Sequence, residues 1–577
     1  MNTRRKYIFC GLLILLLVAA MIPVSCLLSL GEEDEGLSGE VISMYERYEA
    51  YRAMDEHMTV IDSTALDIEA LWALEDMRTE AEGPLVSAMK NGDAPLGYDA
   101  ASNTFYCTLG ENNEEDWPQL NLRAYGQDNL RVAFVDDYTY DYCWDAISQG
   151  YRYEMIAYTD TEYAYIGVVF TGLPLVSLDP DCHFMEIGFD QDVGSLISIS
   201  SAAHETVEGP ALVHQRGGHF YRGIDKNSYR LEFHELNMFS GDDKRQVGVL
   251  GMEPDSDWLL VSSPADETAI RNQISWEIWK DWNRDGGLGI NTLDSQLVEL
   301  FIEDEYMGLY QLMQRIDVEK ELVRMGGDLD TDMVARKIQP LNTGDRPVRY
   351  IETMYPWAAE LRYLPARMSE EEAFGLMEDL AWMEVRDEGA GREHFLSDED
   401  FTREVLAHYD IRHLMNYYLF FQSMSLAYDN VVNNVYIWTL FDGEGGYKHY
   451  LSPWDMDAGF IPIRTNPDGS DNDEINEWMY MPMRILALNI GNSREILWEI
   501  WNEKRATILE ESALYQRIED LEYRINASGA YLRETQRWRG EARELDLSDI
   551  KSSACAHQNT IESHMRTYWH VDDSQLQ

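Results

Sequence analysis

A chain of 577 residues with 45% hydrophobic and 12% aromatic residues is too long for one ordinary core and too apolar to be disordered, so two or more globular domains are expected. Its 46 Lys and Arg face 104 Asp and Glu, a formal charge of −58, which argues against direct binding of nucleic acid or anionic lipid by the body of the protein. Such a surface draws basic partners and divalent cations, and a nucleotide site on it would need local positive charge of its own.

Arg4, Arg5 and Lys6 precede an almost unbroken apolar run from Tyr7 to Leu30, followed by the acidic stretch Gly31 to Glu35. The run is long enough to span a bilayer, and the flanking charges orient it with the start inside and the body outside. Residues 1–30 are therefore expected to be a signal anchor or signal peptide. Pro23-Val24-Ser25-Cys26 is a poor lipoprotein box, so a lipoprotein is the second choice. Four cysteines lie beyond this run: Cys107, Cys143, Cys182 and Cys555. An exported location permits pairing, with Cys107–Cys143 the nearest pair in sequence; four buried free thiols fit as well.

Residues 31–94 read as an acidic helical stalk. Ile42, Tyr45, Tyr48, Tyr51 and Met54 recur at helical spacing, as do Ile61, Leu66, Ile68, Leu71 and Leu74. From 95 to 171 short alternating runs punctuated by Gly, Asn and Asp predict a small β-rich accessory domain. A mixed region follows over 172–575. It has predicted strands at Leu173–Leu178, Tyr229–Phe233, Leu259–Val261 and Val298–Ile302, and a helix over Glu267–Trp282. A long aromatic helix is expected over Phe401–Ser425, with Leu406, Ile411, Leu414, Met415, Tyr418 and Leu419 as its core stripe, and the end of the chain reads as mostly helical.

Two segments carry chemistry. Asp429 to Asn434 has the D-x-x-x-x-N spacing of a phosphoryl-transfer loop, where a carboxylate receives the proton of the attacking hydroxyl and an amide oxygen ligates a metal. About twenty residues on, Trp454-Asp455-Met456-Asp457-Ala458-Gly459 sets carboxylates ahead of a glycine. Mg²⁺ takes oxygen ligands of this kind and neutralises nucleotide phosphates. The same residues also fit a polar turn before the strand Val435 to Trp438 and a pair of solvated loop acids.

Further blocks stand in order around these two: Gly172-Leu173-Pro174-Leu175-Val176; Arg216-Gly217; Lys226-Asn227-Ser228-Tyr229-Arg230-Leu231-Glu232-Phe233; Asp257-Trp258-Leu259-Leu260 with Asp266 and Arg271-Asn272; and Glu305-Tyr306-Met307-Gly308-Leu309-Tyr310. Together with Asp429…Asn434-Val435-Tyr436 and Pro453 to Asp457, this order resembles the CotH family of spore-coat kinases and their surface relatives, over roughly 172–470. The resemblance implies an α+β, atypical protein-kinase-like fold that moves the γ-phosphate of ATP to Ser or Thr of a partner protein. It implies Asp429 as the catalytic acid, Asn434 and Asp455 as ligands of Mg²⁺ or Mn²⁺, and Asp457 as a second ligand or an orienter. Lys226, Arg230 and Arg216 are the residues to meet ATP. Alternation on a strand sets Ser228, Arg230 and Glu232 on one face and Tyr229, Leu231 and Phe233 on the other, which makes Arg230 a site residue and the apolar three core. Arg271 reads equally as an internal ion pair, a phosphate contact or a surface residue.

Three positions depart from the family pattern: Gly218-His219 where Asn-Ser follows Arg-Gly, Gln314 in place of a Glu, and Asn433 in place of a Lys. They weaken the electropositive half of the site and keep open a non-catalytic surface or adhesion protein on the same fold. A carbohydrate-active protein is a third, weaker reading. The charge favours a basic, Ser-rich protein partner and no nucleic acid, with the membrane reached through the N-terminal segment.

Overall fold

The computed structural model describes residues 46–567 apart from 63, 110–119, 137–142, 190, 218–225, 236–243, 285–292, 339–347, 352–356, 385–395, 425–429, 431–432 and 461–479. The fold is mixed α and β, as expected. The apolar run 7–30 lies outside the described residues, and no helix among them is long and apolar enough to cross a membrane.

The first domain is a β-sandwich. One sheet holds β1 (Thr59–Val60), β7 (Leu122–Gly126), β3 (Val86–Asn91) and β4 (Ala94–Pro95). The other runs β5 (Gly97–Asp99), β6 (Thr104–Thr108), β10 (Glu162–Thr171), β9 (Arg152–Tyr158) and β8 (Arg131–Phe134), with β2 (Thr79–Glu80) beside β10. Val86 and Met89 of one sheet and Phe105, Met155, Val168 and Phe170 of the other share one core. Cys107 sits in that core as a free thiol, pushed up to about 12 by burial, so the expected Cys107–Cys143 pair does not form. The stalk expectation is also corrected. Residues 46–54 and Ile68–Asp76 are helical, yet β3 within the same stretch is an integral strand paired with β7. The helix over 46–54 lies against the next domain, where Tyr51 donates to Glu208 at 2.8 Å and Arg47 pairs with Asp179 and Asp181.

That next domain is a closed seven-stranded barrel in the order β11 (Leu175–Pro180), β12 (Val193–Ser200), β13 (Val207–Arg216), β14 (Ser228–Phe233), β15 (Asp257–Val261), β17 (Glu305–Gln314) and β16 (Ser295–Ile302). β14 alternates as its sequence demands: Tyr229, Leu231 and Phe233 fill the barrel with Trp258 and Leu260, and Arg230 stays outside. The helix Arg271–Trp282 leaves the barrel and is buried almost throughout. Its Ile274 and Trp279 share a core with Leu259 and Met313 of the barrel and with Phe420 beyond it, the Trp279 and Phe420 rings lying 4.7 Å apart.

The remainder is a five-stranded antiparallel sheet, β19 (Val348–Ile351), β20 (Trp357–Tyr363), β18 (Met333–Ile338), β21 (Val435–Phe441) and β22 (Tyr447–Pro453), packed by helices. The expected single helix over Phe401–Ser425 is two, Asp398–His408 and Ile411–Met424. Tyr409 is extended and bridges His449, and the Asp410 carboxylate restarts the helix by accepting from the His413 amide. The break shifts the phase, so Leu406 is 48% exposed while Leu414, Met415, Tyr418 and Leu419 are buried. Near the C-terminus, the helix Ala530–Arg539 returns to the barrel.

Candidate functional site

β21 and β22 pair with Val435 opposite Pro453 and Tyr436 opposite Ser452. One further ladder bond, from the Trp454 amide to the Asn434 carbonyl at 2.8 Å, carries the pairing past the end of both strands. Asn434 and Asp455 are thereby delivered side by side at the open end of one hairpin, away from its turn. Both take left-handed backbones, φ 51° and 54°, a conformation that Asn and Asp tolerate better than other side chains. Asp429 lies outside the described residues. Its neighbour Asn430 is fully buried and donates from Nδ2 to the Trp454 carbonyl at 2.6 Å, tying the segment before β21 to the turn after β22. Asp457 lines a pocket of ≈ 580 Å³ with Asp266, Arg271, Tyr531 and Arg543, in which neither Asn434 nor Asp455 takes part.

The barrel and the five-stranded sheet each supply positive charge to this end of the hairpin. Arg216, the last residue of β13, holds its guanidinium carbon 5.4 Å from the Trp454 ring centroid. Arg336 of β18, opposite Tyr436 in the ladder, lies 5.9 Å from that tyrosine ring and pairs with Glu360 at 2.8 Å. Burial pushes the Asp455 carboxyl above the usual range, while the charges of Arg216 and Arg336 pull it back. Burial lowers Arg216 against the favourable charge of Asp455, with Arg336 and Arg315 lowering it further by their like charge. Two guanidinium groups, Arg216 and Arg336, thus stand near one half-buried carboxylate, in a protein of strongly acidic composition.

The other two basic residues singled out from the sequence are committed to partners. Lys226 is 4% exposed; its ammonium donates to Glu534 Oε1 at 2.6 Å and to the Leu309 carbonyl at 2.7 Å, and lies 4.9 Å from the Tyr310 ring centroid. Burial lowers its pKa and Glu534 opposes the shift. Arg230 forks onto Asp257 and Glu232, and Arg315 joins the same Asp257 at 3.1 Å. Burial would raise Asp257, but Arg230, Arg315 and Lys244 together hold it below the usual carboxylate range.

Arg271 and Asn272 prove to be internal supports of the turn after β22. Arg271 Nη1 donates to the carbonyls of Gly459 (2.9 Å) and Phe460 (2.7 Å), and its Nε to Asp266 (3.2 Å). Asn272 accepts from the Met456 amide at 2.8 Å. Gly308 has φ 97°, and a Cβ there would run into the Glu534 carboxylate. Gln314 bonds the Glu253 carbonyl and the Asp294 amide, a neutral structural link. Sequence reasoning missed Arg315, Arg336, Asn430 and Glu534. An Arg inside the apolar strand Met333-Val334-Ala335-Arg336 was a usable signal; nothing in the sequence pointed from Lys226 to Glu534.

Among the described residues no three His, Cys, Asp or Glu side chains gather as a metal cluster. The open end of the hairpin instead offers one carboxylate and one amide, Asp455 and Asn434. That donor set suits Mg²⁺, which is commonly held by one or two carboxylates together with waters and the oxygens of a phosphate ligand. The surrounding guanidinium groups suit the phosphate. A protein-family model described as CotH kinase protein matches residues 213–568, from β13 to the last helix. No curated protein matches the chain.

Proposed function

The chain belongs to the CotH family, and from that premise we propose that it is a metal-dependent protein kinase transferring the γ-phosphoryl group of ATP to a Ser or Thr of a partner protein of the spore coat or cell surface. The observation that carries this reading is the juxtaposition of Asn434 and Asp455 at the open end of one hairpin beside Arg216 and Arg336. Asn434 and Asp455 would hold Mg²⁺ or Mn²⁺, with Asp457 as a second ligand or an orienter. The bound metal would neutralise phosphate charge as it develops. Asp429 orients the incoming hydroxyl and takes its proton. Arg216 and Arg336 meet phosphate oxygens; Lys226 and Arg230, the other candidates for that role, are held in ion pairs with Glu534 and with Asp257 and Glu232. The −58 charge favours a basic, Ser-rich substrate, and the run 7–30 favours a membrane-anchored, extracytoplasmic setting.

The test is calorimetric titration of ATP, with and without Mg²⁺ or Mn²⁺, followed by phosphate incorporation into candidate partners. Metal-dependent binding lost in Asp455→Ala, and incorporation lost in Asp429→Ala, are the expected results. A second reading, a non-catalytic surface or adhesion protein, draws on one observation: Lys226 and Arg230 are both consumed by internal ion pairs. Absence of ATP binding with either metal, and unchanged biological activity in the Asp429→Ala/Asp455→Ala double variant, would establish it.

A further inference from the structure

The left-handed backbone at Asp455 is disfavoured for an L residue, so something must hold it. The two peptide groups that flank it are each capped by a buried asparagine. On one side, Asn430 Nδ2 donates to the Trp454 carbonyl at 2.6 Å. On the other, the Met456 amide donates to Asn272 Oδ1 at 2.8 Å. Asn430 is 0% exposed, Asn272 2% and Met456 0%, so water does not compete for these bonds. Asn272 is braced in turn: its Nδ2 donates to Gln311 Oε1 at 2.7 Å, and Gln311 Nε2 donates to Ser295 Oγ at 3.0 Å, both on barrel strands.

We infer that Asn272 and Asn430 are positioning residues that pin the Asp455 backbone from opposite sides, Asn272 from the barrel and Asn430 from the segment before β21. Rotation of either flanking peptide would swing the carboxylate away from Asn434, so each asparagine acts on the site through Asp455 without touching a ligand. The two roles are chemically opposite. Position 272 must accept a hydrogen bond from the chain, whereas position 430 must donate one. The barrel and the open end of the hairpin are thus registered by a single residue, Asp455, and the inference rests on reading that residue as the metal-facing carboxylate.

The asymmetry supplies the test. Asn272→Asp keeps the acceptor for the Met456 amide, and a flip of the Gln311 amide turns its Nε2 to the new carboxylate in place of the lost donor while Ser295 Oγ donates to its Oε1. Asn430→Asp loses the donor and sets a carboxylate against the Trp454 carbonyl with no such remedy. Hydrogen exchange of residues 454–460 in the metal-free protein is expected to stay near wild type in Asn272→Asp and to run about tenfold faster in Asn430→Asp and Asn272→Ala, the loss of one buried hydrogen bond. Exchange across the first sandwich should not change. Mn²⁺-dependent ATP affinity should fall in the same two variants, with metal-free ATP binding unaltered. Equal exchange in Asn272→Asp and Asn430→Asp, or wild-type exchange in Asn272→Ala, overturns the inference. Should the variants fail to fold, the wild-type protein decides: a Met456 amide exchanging like an exposed loop refutes the pin, and a protected one supports it. Because exchange is read without ligand, failure of ATP binding in the wild type would refute the kinase reading and leave the backbone pin standing.

Discussion

Lys226 and Glu534 lie 308 residues apart in the chain and 2.6 Å apart in space. The second carboxylate oxygen of Glu534 accepts the Leu309 amide at 2.8 Å, so one acid ties together β17 and the residue that leads into β14. Removing one partner of a buried pair leaves a charge that water cannot reach. Lys226→Met is therefore expected to cost about 3–5 kcal/mol of stability, read from urea denaturation. Adding Glu534→Gln should restore part of that loss. A lysine serving only to bind phosphate would leave the urea midpoint where it was.

Gly308→Ala should be harmful for the same reason. The new methyl meets Glu534 and comes within 3.0 Å of Trp538 Nε1, at a φ of 97°. Overpacking of this kind costs about 1–3 kcal/mol, and left-handed strain adds to it. Since Gly308 and Lys226 act through the same carboxylate, Gly308→Ala/Lys226→Met should cost less than the sum of the single changes. Strict additivity in denaturation would show that the two positions are independent.

The two kinds of arginine should separate in binding and stability. Arg336→Ala and Arg216→Ala are expected to weaken metal-dependent ATP binding at least about tenfold, the scale of one lost charge-assisted hydrogen bond. Arg230→Ala should instead lower the denaturation midpoint, because it strips a cation from Asp257 and Glu232. Calorimetry and urea titration on the same three proteins check the division.

Acid should loosen the five-stranded sheet before it titrates carboxylates. Burial pushes His449 down to about 3 and His413 down to about 4. The unfolded chain takes up these protons near pH 6.5 and the folded one does not, so their contribution is complete above that pH. It is lost progressively as pH falls towards 4 and then 3. Each histidine gives a slope of up to about 1.4 kcal/mol per pH unit. Urea midpoints between pH 7.5 and 5 should fall, and His449→Phe should flatten that dependence even if it lowers stability overall.

Local pattern was readable where one strand or one helix decided the outcome. The alternation of Tyr229, Arg230 and Leu231 gave the inside and outside of β14, and the amphipathic pattern of Glu267–Trp282 gave a helix, which in the structure starts only at Arg271 and is buried on more than one face. The shared metal role of Asn434 and Asp455 came from the family resemblance; the strand β22 that brings Asp455 beside Asn434 was not among the predicted elements. What failed was whatever depended on distant partners. Burial of Lys226 against Glu534 required the C-terminal helix to return to the barrel, and no spacing announces that. The break at Tyr409 arose because a strand claimed its backbone through His449, a tertiary demand that overrode a continuous helical stripe.

The docking of Ala530–Arg539 bears on how the protein is made. All seven barrel strands have been synthesised by Gln314, yet Glu299, fully buried, has its bidentate partner in Arg533, and Lys226 has its own in Glu534. A nascent chain that has not reached these residues carries two interior charges of opposite sign with no counter-ion on the helix that supplies them. Vectorial folding from the N-terminus can finish the first sandwich but must leave the barrel ajar until the ribosome is almost done. A premature stop or a proteolytic nick before residue 530 would thus damage the barrel itself, far upstream of the lesion, while sparing the domain made first.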